Sequence, residues 1–82
     1  MDTKQRYTIA SDALTSIASA ETGALAKIAR TALIGTTVYE DNGDYAAALD
    51  EAIQGLMAID MAFPNSSAAA WARAVYRVVT DE

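Results

Sequence analysis

Three short breaks divide this chain into four stretches in which apolar residues recur every three or four positions, and nowhere do apolar and polar residues alternate in twos. A period near 3.6 places such residues on one face of a helix, whereas a half-buried strand needs a period of two. The pattern therefore predicts an all-α fold: a small bundle of about four helices, arranged as two αα-hairpins with short turns, in a single domain over residues 1–82.

The first helix is expected from Thr3 to Ser19, with Tyr7, Ala10, Leu14 and Ile17 inward and Thr8, Asp12, Thr15 and Ser19 opposite. Ser19-Ala-Glu-Thr-Gly23 interrupts it; Ser19 or Thr22 is a fitting cap, and Gly23 is a poor interior residue. The second runs from Gly23 to Tyr39 and lines Leu25, Ile28, Ala29, Ala32, Leu33, Thr36 and Tyr39 along one face. Glu40-Asp-Asn-Gly-Asp44 ends it, since Asn-Gly favours a turn and Asp44 can cap the next helix. The third, Tyr45 to Phe63, presents Tyr45, Leu49, Ala52, Leu56, Ile59 and Phe63. It stops before Pro64 because a residue preceding proline avoids the helical region. Asn65, Ser66 or Ser67 caps the fourth helix, whose inner side is read as Ala68, Trp71, Ala74, Val75, Val78 and Val79, with Arg73, Arg77 and Thr80 outward. Trp71 is expected at the centre of the core.

Gly43-Asp44-Tyr45, then Ala48-Leu49, and later Pro64-Asn65 with Trp71 resemble the turn and second helix of a tetratricopeptide repeat, with Tyr39 where the preceding helix of that motif carries an aromatic. The resemblance covers roughly residues 31–71, one repeat. It implies helix-hairpin packing and peptide or protein binding. The third helix is about one turn too long, and Gly55 stands where alanine or a larger residue is expected. A single repeat also lacks the neighbours that build a concave groove. The likeness is read as a shared way of packing hairpins, without membership.

Composition removes whole classes of chemistry. The 82 residues include no cysteine and no histidine, which excludes disulfides, thiol nucleophiles, Cys/His zinc sites and His-based triads. The absence of cysteine fits a reducing compartment, the N-terminus lacks a secretory apolar stretch, and no apolar run approaches the roughly 20 residues of a membrane span. A cytoplasmic protein without membrane contact is expected. The net charge of −5 is uneven: residues 1–41 hold four basic and five acidic side chains, residues 42–82 two basic and six acidic. Without clustered Lys and Arg, direct nucleic-acid binding is not expected. The acidic half leaves weak nucleic-acid mimicry as an alternative, beside the ordinary reading that the charge serves solubility.

Few residues invite a chemical role. Asp41-Asn42-Gly43-Asp44 resembles a calcium loop superficially, but the glycine comes too early and the twelfth position is Ala52 rather than glutamate. Asn65-Ser66-Ser67 reads as a cap. The tyrosines and Trp71 suit stacking on a flat ligand but, at helical spacing, read first as core. Asp60 falls on the apolar stripe of the third helix and is a candidate partly buried acid; it either reaches solvent at the helix end or pairs with Arg73 or Arg77, and no second carboxylate or serine–base pair stands near it in sequence for acid–base work. No enzyme activity, cofactor or metal is expected.

The remaining constellation is a second apolar surface. Ile34 and Val38 lie opposite Leu25, Met57 and Met61 lie well away from the Tyr45–Phe63 line, and Tyr76 is displaced in the same way on the fourth helix. Either they form one surface for a partner or a second copy, or they belong to a wide core. The expected function is a non-enzymatic protein–protein interaction module, a homodimer, acting as a small regulatory or inhibitor protein of the antitoxin-like or phage-encoded kind. The alternatives are a structural homo-oligomer and, with less support, a ligand-binding bundle.

Overall fold

A computed structural model describes residues 1–80 as four α-helices: α1 Thr3–Ala20, α2 Gly23–Asp41, α3 Tyr45–Ala62 and α4 Ser67–Thr80. Among the described residues there is no strand. Each boundary has a local cause. Asp2 opens α1 with a capping box: its carboxylate accepts from the Gln5 backbone N–H at 2.8 Å, while the Gln5 side chain accepts from the Asp2 N–H at 3.0 Å. Glu21 and Thr22 are extended, and Gly23 begins α2 at φ +67°, a conformation that costs a side chain-bearing residue but not glycine. The first two helices are therefore separate.

Gly43, at φ +72°, closes α2, its N–H donating to the Glu40 carbonyl and that of Asp44 to the Tyr39 carbonyl, both at 2.9 Å. The Asp44 carboxylate accepts from the Ala47 N–H at 3.1 Å and caps α3. After Phe63-Pro64, the Ser66 hydroxyl accepts from the Ala69 N–H at 3.0 Å and starts α4. All three breaks fall where turn chemistry predicts them.

Helix α3 is the hub, packing against α1, α2 and α4; α1 packs against all three as well, whereas α2 and α4 do not touch. Among the described residues, the core where these helices meet contains five large fully buried apolar side chains, Leu14, Ile17, Leu56, Ile59 and Val79. Alanines fill most of the rest: Ala10, Ala26, Ala29, Ala48, Ala52, Ala69 and Ala72 are almost wholly buried. Small side chains let ridges of one helix sink deep into grooves of another. Helix α2 comes close to α3 at Gly55, where an added methyl would overlap the Cβ of Ala32 and touch the Leu14 side chain. Buried Thr36 satisfies its hydroxyl by donating to the Leu33 carbonyl at 2.8 Å.

The buried lines differ from the expected ones where helices end and on α4. Tyr39 and Phe63, at helix ends beyond their neighbours' reach, remain 36% exposed. The core line of α3 runs through Ala48, Ala52, Gly55, Leu56 and Ile59, leaving Tyr45 and Leu49 half-buried. On α4 the inward residues are Ala68, Ala69, Ala72, Val75 and Val79, while Trp71, Ala74 and Val78 face out, Trp71 44% exposed. The expectation of a central Trp71 is thereby corrected. The helix is rotated so that its alanines, which allow close packing on α1 and α3, take the contact that an indole would hold open.

Two glycines separate propensity from packing. Gly55→Ala should lower stability by about 1–2 kcal/mol, because overlap with Ala32 outweighs the gain in helix propensity. Gly35→Ala should raise it by about 0.5–1 kcal/mol, since the new methyl meets only the movable carboxylate of Glu51. Urea denaturation of both variants checks the opposed signs. For Trp71→Ala in dilute protein, partial exposure limits the loss to about 1–2 kcal/mol; a loss of about 4 kcal/mol or more in the same measurement would place the indole in the core after all.

Candidate functional site

All five side chains singled out as a second apolar surface are exposed on this molecule, but they do not form one surface. Residue numbers rise along α2 as they fall along α3: Ala32 faces Gly55, and Gly35 faces Glu51. The two helices are antiparallel. Val38 lies six residues past Ala32 and Met61 six past Gly55, so at 1.5 Å per residue they stand about 18 Å apart along the helix axes. Ile34, 72% exposed, and Val38 sit towards the Glu40–Asp44 turn, whereas Met61, 79% exposed, sits at the opposite end. The order of packing separates them, and helical spacing within single elements carries no information about it.

Met57 and Tyr76 do come together. They flank a cleft of about 320 Å³ between α3 and α4, floored by Leu56 and Ala72 and edged by Asp60, Arg73 and Arg77. Met61 extends the apolar strip one turn further along α3. Leu56 and Ala72 turn inward to the core and form the cleft's floor, while Met57, Tyr76 and the charged residues stand at its exposed edges.

Asp60 forms the cleft's polar wall. Its carboxylate pairs with the Arg73 guanidinium, which also donates to the Pro64 carbonyl at 3.2 Å. One arginine thus ties the end of α3, the turn and α4. Both side chains are partly exposed, so solvent screens the pair and its main effect is to hold Arg73 in place at the rim. Arg73 and Arg77 are the only two basic residues of positions 42–82, and both lie here. Helical periodicity marks them only as outward-facing; their spacing of four on α4 is the signal in the sequence that they share an edge.

A second polar cluster sits at the other end. The Tyr7 hydroxyl donates to Glu40 at 3.1 Å, the Tyr7 and Tyr45 rings lie 5.9 Å apart, and the Lys4 ammonium stands 5.4 Å from the Tyr45 ring. These contacts join α1, the end of α2 and the start of α3. They close the bundle's end, with a shallow cleft beside them along Asp2, Lys4, Gln5 and Thr8 at the start of α1. Among the described residues no group of three or more Asp or Glu side chains is placed to hold a metal ion, and no helix is long and apolar enough to cross a membrane.

Burial raises the Tyr7 phenol above its ordinary value near 10; the Thr36 hydroxyl opposes the rise, the Glu40 carboxylate adds to it through its hydrogen bond and its charge, and the Ser11 hydroxyl opposes it slightly. The folded chain thus keeps this proton after the unfolded chain has lost it. Stability from this group is complete below about pH 10 and declines as the pH climbs from there through the folded value. Tyr7→Phe should flatten that decline, seen as a smaller drop in urea midpoint between about pH 9 and pH 11 than in the wild type. Comparison of the chain with protein-family models, curated proteins and solved structures found no match.

Proposed function

We propose that this chain is a non-enzymatic interaction module that acts by occupying the surface of another protein, with the α3–α4 cleft as its contact. The observation that carries this reading is the pairing of exposed Met57 and Tyr76 across an apolar floor with two arginines on the rim. Interfaces concentrate aromatic residues, Met and Arg at their centres relative to the remaining surface. Methionine adapts to differing partner shapes, and arginine offers both stacking and bidentate hydrogen bonding. The chain has neither cysteine nor histidine, so this surface offers no thiol and no imidazole, and what it presents is shape, apolar area and charge. A small regulatory or inhibitor protein is the functional class that fits.

Met57→Glu tests the reading, since it sets a charge on the apolar strip at an exposed helical position where folding should be unaffected. Tagged wild type should retain a stoichiometric protein from a lysate of the source cells, and the purified pair should bind in calorimetry. The variant, with the same helix content by circular dichroism, should lose at least about 2 kcal/mol of binding free energy. Equal binding by both proteins would place the contact elsewhere.

A further inference from the structure

Two arginines edge the α3–α4 cleft, and only one of them is paired. The Arg73 guanidinium is held by the Asp60 carboxylate and the Pro64 carbonyl. Arg77, one turn further along α4, is exposed and has no hydrogen bond or ion pair among the described residues. Like charges one turn apart on a helix repel, and Asp60 compensates just one of the two. Two guanidiniums against one carboxylate leave the rim with a local charge of +1, on a chain whose net charge is −5. The other charged side chains of α3 and α4 are Asp50 and Glu51, both acidic. An anionic ligand that approaches these two helices is therefore drawn to this rim.

The apolar part of the cleft narrows the chemistry further. The Met57 thioether and the Tyr76 ring both take aromatic neighbours favourably. The planar guanidinium of Arg77 stacks on a ring and accepts a carboxylate in a bidentate pair. A volume of about 320 Å³ lies at the small end for ligand sites and suits one anchoring side chain with its neighbours. We propose that the cleft binds an acidic peptide segment of the partner protein, anchored by an aromatic side chain. The ring lies over Leu56 and Ala72 between Met57 and Tyr76, and a flanking carboxylate pairs with Arg77. This rests on the reading of the cleft as the chain's protein contact and names the chemistry of what fills it. A basic segment would set like charge against Arg77, and an uncharged one would leave that guanidinium to water.

Amide NMR titration with capped tripeptides tests this: acetyl-Glu-Phe-Glu-amide against its Gln-Phe-Gln, Lys-Phe-Lys and Glu-Ala-Glu counterparts. The Glu-Phe-Glu peptide should move the signals of Met57, Asp60, Tyr76 and Arg77, with a dissociation constant on the order of 1 mM. The Gln-Phe-Gln and Glu-Ala-Glu peptides should bind roughly fivefold more weakly or worse, and Lys-Phe-Lys should not bind below about 10 mM. Arg77→Gln should abolish the preference for Glu over Gln in the peptide, and Arg77→Glu should favour the Lys peptide. Arg77 makes no contact that the fold depends on, so both variants should keep the wild-type helix signal. No shifts at about 10 mM peptide, shifts centred outside the cleft, or equal binding of acidic and basic peptides would each overturn the proposal. So would a preference for Glu that survives Arg77→Gln, or cleft signals that move when the protein alone is concentrated, which would mark a second copy as the occupant. The two readings fail separately. A natural partner lost with Met57→Glu but unaffected by Arg77→Glu keeps the cleft as the contact and refutes an acidic occupant.

Discussion

The approach of Gly55 to Ala32 fixes the spacing on which the other contacts depend. Because only the Ala32 methyl lies between the two backbones there, α2 lies against α3 at a distance that larger residues would forbid. Leu14 of α1 reaches the same point and seals it. Helix α3 touches every other helix, so the position it takes on α2 is passed on to α1 and α4. Alanines at most buried positions continue the same geometry through the molecule. Backbones brought close exchange many weak dispersion contacts, which offset in part the small apolar area of each alanine.

Close packing of this kind has a counterpart on the surface. Space between the helices that is filled by alanine has no room for larger apolar side chains, and several of these end outside: Ile34, Val38, Met57, Met61, Trp71 and Val78. A conventional core would have absorbed an indole. Here the most massive side chain of the protein stands on a flank, because the alanines beside it make the better fit. The exposed residues are thus a consequence of how the interior is built.

The four helices and their three breaks were legible because each break has local chemistry: glycines at positions 23 and 43, a carboxylate cap at Asp44 and a hydroxyl cap at Ser66. Which residues of α4 face inward was not. Trp71, Val75 and Val78 make as regular a helical line as Ala68, Ala72, Val75 and Val79, and ranking lines by hydrophobic bulk selects the wrong one. Gly55 shows the same limit, since a glycine inside a helix reads as a flaw until the facing Ala32 is known. The pairing of Met57 with Tyr76, and the distance between Val38 and Met61, depend on the mutual arrangement of helices, to which periodicity along one helix is blind.

The missing contact between α2 and α4 also shapes how this molecule comes apart. Three helices touch one another mutually, α1, α2 and α3, and α4 lies outside that triangle as the least packed of the four. Local opening proceeds by cooperative units, and the unit held by the least packing opens first. The amides of α4 would then exchange with solvent ahead of those of the triangle, as α4 lifts away from α1 and α3. Such an opening uncovers the inner faces of Val75 and Val79 and the core beneath them while most of the helical content persists.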